Sequence, residues 1–158
     1  MAVIAGGGDL VLRRLGHTDV ERLAPLVASY AGALLGREPE APDPAYVSRL
    51  MAEPVVEIAG AERDGGLVGF ALYYDLPEAI SGRRAGQLDD LFVRPEARGG
   101  GIAQALIAHI VAQGEARGWI HLRWMVPIES PAGALYDRIA ERAPWRNYVI
   151  RIDPTMKW

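Results

Sequence analysis

Two adjacent acids, Asp89 and Asp90, stand shortly before an arginine and three glycines, Arg98-Gly99-Gly100-Gly101, and the run continues Ile102-Ala103. Residues 88–93 read as an apolar strand that carries the acids. A tight turn follows, and then a glycine-rich helix start. The first N–H groups of a helix have no partner inside it, and the helix dipole adds partial positive charge at the same place. Glycines leave that backbone open, so the turn suits a phosphate group. Carboxylates on the preceding strand would lie beside such a ligand, where they can take a proton or hold a cation. The chemistry indicated is transfer of a group from a phosphate-containing donor. Two familiar phosphate loops do not fit. A dinucleotide fingerprint needs glycine where Gln104 stands, and the nucleoside-triphosphate loop needs a Gly-Lys-Ser/Thr sequence that is absent.

In a regular strand Asp89 and Asp90 point to opposite faces, so only one faces the ligand unless a bulge intervenes. There is no cysteine, which removes disulfides, thiolate catalysis and zinc–thiolate sites. His17, His109 and His121 are spaced too irregularly for a metal set and are expected to be structural, so no metal is expected. A formal net charge of −3 gives no electrostatic case for nucleic acid. No stretch approaches the ~20 apolar residues of a membrane span. The opening residues lack the basic region of a signal peptide, so the expectation is a cytoplasmic protein with no membrane partner.

The elements that must position the run can be read from periodicity and punctuation. Residues 10–15 form a first strand. Thr18 and Glu21 make a capping-box pattern ahead of a helix with Val20, Leu23, Leu26 and Val27 on one face, stopping near Gly36. After a proline-rich loop, a short helix holds Tyr46, Val47, Leu50 and Met51. Residues 55–62 and 67–74 are strands joined by a hairpin turn at Asp64-Gly65-Gly66. Residues 76–86 read as irregular. Beyond the acidic strand, a helix from about Gly100 to Arg117 buries Ile102, Leu106, Ile107, Ile110 and Val111, and Gly118 ends it. Residues 119–126 are a strand, Pro131 opens a short helix with Ala134, Leu135 and Ile139, and residues 145–152 close as a last strand. The fold class expected is α/β (mixed α+β) in a single domain over residues 1–158. Its centre is a mixed, mostly antiparallel sheet flanked by helices. Trp119, Trp124, Trp145 and Trp158 are expected in the core or at a dimer contact.

Val93-Arg94-Pro95-Glu96-Ala97-Arg98-Gly99-Gly100-Gly101-Ile102-Ala103 resembles the acetyl-CoA-binding motif of the GCN5-related N-acetyltransferases, Arg/Gln-x-x-Gly-x-Gly/Ala after a strand ending Val-x-Pro. The order of elements agrees over nearly the whole chain. A narrower resemblance, to the spermidine/spermine (diamine) acetyltransferase branch, is carried by residues 68–74, residues 88–93, and Ser130-Pro131 with Tyr136. In it Asp89 stands where that branch has glutamate, and Glu129 where it has asparagine; Ala132 is an allowed variant. The resemblance implies direct attack of an amine on the thioester of acetyl-CoA, the expected cosubstrate. Tyr136 would be the general acid for the leaving thiolate. Backbone groups of Leu91, Phe92 and Val93 would pair with the pantetheine amides. Arg98, Gly99, Gly100, Gly101, Ile102 and Ala103 would hold the diphosphate, with further CoA contacts from Glu129 and Ala132. Asp89 is favoured by position to bind the ammonium or relay its proton; Asp90 is the second candidate, and both are candidate substrate-binding residues. Tyr30, Glu38 and Glu40 lie where the branch recruits substrate contacts. The expected partner is a small-molecule amine, with a protein or peptide amine, or a non-catalytic acetyl-CoA-binding module, as alternatives. The resemblance also implies a homodimer.

Overall fold

Asp64 and Gly65 both take positive φ, 52° and 76°, the primed turn whose twist matches that of paired strands. It joins β2 (Val56–Arg63) to β3 (Gly66–Pro77) at the heart of the sheet. β1 (Val11–Arg14) pairs antiparallel with β2, β4 (Arg84–Val93) antiparallel with β3, and β5 (Trp119–Arg123) lies parallel to β4. The strand order is β1-β2-β3-β4-β5, the mixed, mostly antiparallel sheet expected. The computed structural model describes residues 8–155; the opening segment 1–7 and Trp158 lie outside the described residues.

Side-chain size decides which helices cover which face. Ile58, Phe70, Leu72 and Phe92 point to one side and pack against Leu23 and Leu26 of α1 (Val20–Leu35) and Val47 of α2 (Pro44–Ala52). The small side chains of Ala59, Ala61 and Ala71 point to the other side. There α3 (Ile102–Arg117) lies close, burying Leu106 and Ile110 completely. Each such burial contributes about 1.5–3 kcal/mol. Alanine-rich composition favours α3 as a helix, and Gly118 ends it with φ 72°. A shorter helix, α4 (Gly133–Ile139), joins the same face. No helix among the described residues is long and apolar enough to cross a membrane.

Several elements differ from the sequence reading. The irregular stretch expected over residues 76–86 shrinks to 78–83, because β3 runs on to Pro77 and β4 begins at Arg84, whose Nε donates to Asp75 at 2.6 Å. β5 ends at Arg123, where the following Trp124 packs on α4 instead. α3 starts at Ile102, and Val111 is exposed rather than part of the buried stripe. The Thr18–Glu21 capping box does not form. A single 3-10 turn, His17–Asp19, precedes α1, and the Asp19 carboxylate accepts from the Gly16 N–H (2.9 Å) and from Arg13 (2.6 and 2.9 Å). Residues 145–152 are not a strand. Trp145 is 85% exposed, and Tyr148, Ile150 and Ile152 are also on the surface. Apolar residues favour an extended chain, but a strand needs ladder bonds to a neighbouring edge, and this segment makes none.

Candidate active site

The strand that carries Asp89 and Asp90 is not regular, and the bulge that the alternation argument left open is present. Leu72 of β3 opposes Asp90 of β4, yet the next β3 residue, Tyr73, opposes Leu88. Asp89 is the extra residue, and such an insertion re-aims side chains. Both carboxylates consequently reach tyrosines packed on the α1 side of the sheet. The Tyr74 hydroxyl donates to Asp89 Oδ2 at 3.3 Å, and the Gln87 amide lies 3.5 Å from Oδ1. The Tyr30 hydroxyl, from α1, stands beside the Asp90 carboxyl. Burial raises the Asp90 carboxyl above the usual carboxylate range; the Tyr30 hydroxyl opposes this and the charge of Asp89 adds to it. Tyr30 is itself held protonated, by burial first and then by the two carboxylates.

Beyond β4 the chain makes a 3-10 turn at Pro95–Ala97 and enters the glycine turn. Gly99 and Gly101 have φ 82° and 74°, and a Cβ at either would meet nothing within 4 Å. The backbone itself therefore demands glycine there, and the space above stays open. The first intrahelical bond of α3 runs from the Ala105 N–H to the Gly101 carbonyl at 2.9 Å. The N–H groups ahead of it form the positive end of the helix. Arg98 braces the turn: its Nε donates to the Val93 carbonyl at 3.0 Å, and its guanidinium lies 5.9 Å from the Phe92 ring centroid.

A cavity of about 710 Å³ opens where β4 and β5 part. Their pairing ends with Gln87 opposite Arg123, so β4 has no neighbour on that side from Leu88 to Val93. Asp89, Leu91, Phe92 and Val93 form one wall. Arg98, Gly99, Gly101, Ile102 and Ala103 form the end at the glycine turn, and Ala132 and Tyr136 belong to the opposite wall. Tyr136 packs edge-on against Trp124, ring centroids 5.4 Å apart. Burial pushes its phenol above the ordinary value, so it stays protonated and able to donate.

Three expected site residues do not line the cavity. Asp90 is turned to Tyr30, Gly100 faces away from the opening, and Glu129 is exposed beside Ser130, which does line it. Tyr30 lines the mouth from α1, whereas Glu38 and Glu40 do not; Glu40 pairs with Arg37 at 2.8 Å. Sequence reasoning passed over Gln104, Trp124 and Arg138, all of which line the cavity. Gln104 had a local signal, since its N–H belongs to the first turn of α3. Trp124 and Arg138 had none, because the packing of β5 against α4 brings them in.

The family model described as acetyltransferase (GNAT) family matches residues 23–140. Among curated proteins none matches this chain. A ribosomal-protein-alanine N-acetyltransferase from Brucella melitensis biovar Abortus 2308 is 41% identical, covers 90% of this chain and 99% of its own, and superposes with a TM-score of 0.82. An aminoglycoside acetyltransferase from an uncultured soil metagenomic sample is 25% identical, covering 92% and 99% with a TM-score of 0.75. An aminoglycoside N-acetyltransferase solved with CoA shares the fold at 19% identity, covering 96% and 99% with a TM-score of 0.73. With the family matched over three-quarters of its length and the glycine turn in place at the cavity end, this chain belongs to the acetyltransferase (GNAT) family and is an acetyl-CoA-dependent N-acetyltransferase.

Proposed function

We propose that the acetyl group is delivered to the primary amine of a small cationic molecule, by direct attack on the thioester. The observation that carries this reading is the bulge at Asp89, which turns two carboxylates to one side beside the cavity. A small amine bearing positive charge matches that pair. The resemblance of residues 68–74, 88–93 and 130–136 to diamine acetyltransferases supports the same class.

An alkyl ammonium has a pKa near ~10.4, so its neutral form costs about 4–5 kcal/mol at pH 7. Asp89, on the cavity wall, holds the ammonium and takes its proton directly or through water; Asp90 adds field from behind. The amine nitrogen bonds to the acetyl carbon, the carbon–sulfur bond breaks, the departing thiolate takes a proton from the Tyr136 hydroxyl, and the proton the nitrogen sheds as the amide forms returns through water to the tyrosine oxygen. The unpaired backbone of β4 from Leu91 to Val93 serves the pantetheine amides as a strand edge. An N–H there can polarise the thioester carbonyl. The glycine turn from Arg98 to Ala103 receives the diphosphate, with Ala132 beside the pantetheine arm. We further propose a homodimer, supported by the family resemblance and by the exposed Trp145 and Tyr148; sedimentation at micromolar concentration tests it, and a monomer there removes it.

The 41% identical neighbour favours a second reading, an N-terminal alanine of a protein as acceptor. An amine panel with acetyl-CoA, read by thiol release, separates the two, and the absence of cysteine keeps the background low. Turnover of diamines, polyamines or aminoglycosides is expected. Turnover confined to peptides beginning with alanine would replace the small-amine assignment. Tyr136→Phe is expected to lower kcat about a hundredfold, leaving the acetyl-CoA Kd within about twofold; an unchanged kcat would remove the proton donor.

A further inference from the structure

Arg63, the last residue of β2, is the one arginine near the glycine turn whose position the site description leaves unexplained. Its guanidinium nitrogens stand 3.3 and 3.5 Å from where a Cβ of Gly100 would be. Its Nε is buried and has no hydrogen-bond partner, and among the described residues the side chain makes no ion pair. The neighbouring acids are engaged elsewhere. Glu62 turns to the other face and accepts from Arg13 and Arg22 at 3.0 Å each, while Glu96 lies 4.0 Å from Arg94.

A cation in this place is unfavourable in the protein alone. It sits behind the positive end of α3, where like charges repel, and it is partly desolvated without a compensating partner. Arg94 and Arg98 do not share this predicament, because their Nε groups donate to the Leu67 and Val93 carbonyls. The cost is recovered when an anion of more than one charge occupies the turn, since a guanidinium behind the backbone then attracts what the N–H groups hold. Neither Arg63 nor Gly100 lines the cavity, so the side chain acts through the turn and not by touching the ligand.

We infer that Arg63 is a positioning residue for the diphosphate of acetyl-CoA, supporting the Gly100 segment from behind and adding a fixed positive charge to the phosphate turn. The inference rests on the assignment of that turn to the diphosphate. The test compares acetyl-CoA with acetyl-pantetheine, a thioester without the diphosphate, in Arg63→Met, Arg63→Gln and Arg63→Lys proteins. Arg63→Met keeps the apolar stem and is expected to raise the KM for acetyl-CoA about tenfold at low ionic strength, with the KM for acetyl-pantetheine unchanged. The difference should shrink as salt screens the interaction, and Arg63→Lys should restore most of the loss. A shift of the same factor for both thioesters, or no shift for acetyl-CoA, would overturn the role. Arg63→Gln carries the same comparison if the Met variant folds poorly. Gly101→Ala separates the two assignments: if it weakens acetyl-CoA binding while Arg63→Met does not, the diphosphate stays at the turn and Arg63 loses its part.

Discussion

Gly101 and Gly118 bracket α3 and offer a matched pair for testing the phosphate turn. Their φ angles are 74° and 72°, and a Cβ at either meets nothing within 4 Å. Alanine at each position therefore suffers the same backbone strain, about 1–2 kcal/mol for a left-handed L-residue. Reduced freedom of the unfolded chain offsets part of it, by about 0.4–1 kcal/mol. A net loss near 1 kcal/mol lowers the Tm of a domain this size by roughly 2–4 °C, and by the same amount in both variants. Ligand binding separates them. At position 101 the new methyl projects where a diphosphate would approach, and losing one charge-assisted bond costs about 1.5–3 kcal/mol, roughly a tenfold to hundredfold rise in Kd. Gly101→Asp adds repulsion of about 3 kcal/mol for one charge pair at ~5 Å and an effective dielectric of ~20. Calorimetric titration with acetyl-CoA beside thermal melts reads both quantities. Equal Tm losses with a Kd change in Gly101→Ala alone are expected; matching Kd values in Gly101→Ala and Gly118→Ala would refute placement of the diphosphate on this turn.

Two further outcomes follow from the charged groups. Arg13 holds the Asp19 carboxyl down at about 2, and the residue is only 4% exposed, so the pairing contributes about 2 kcal/mol above the unfolded pKa of ~3.9. That stability should be lost as pH falls from ~4 through ~2; urea melts of Asp19→Asn against the parent should differ at pH 7 and converge near pH 2, and a constant gap would contradict the pairing. Burial raises the Asp90 carboxyl, so its charge destabilises the fold as pH rises from the unfolded value of ~3.9 through the higher folded one. Asp90→Asn should be more stable than the parent at pH 7 and equal to it at pH 3, while raising the amine KM; a variant less stable at neutral pH would mean that the Tyr30 hydroxyl outweighs burial.

The glycine turn was legible because its physics is local. A positive φ, an open helix end and a helix stop at Gly118 depend on a few adjacent residues, and the hairpin at Asp64-Gly65 is read the same way. Tyr136 and Asp89 were found through their resemblance to a family pattern, and both line the cavity. Glu129 was assigned by alignment to that pattern, but it lies on the exposed side of a turn, which a one-dimensional match does not encode.

The sequence alone marked the candidate residues for the chemistry and most of the order of elements that present them, since propensity and turn formation act between near neighbours. Tertiary structure decided where the two acids point. The register of β4 against β3 sets the Asp89 bulge, and a pairing between distant strands is invisible to alternation along one of them. The same reason applies to residues 145–152, which have strand composition but pair with no edge, and to Arg63, which reaches the turn only because the β2–β3 hairpin packs beside it.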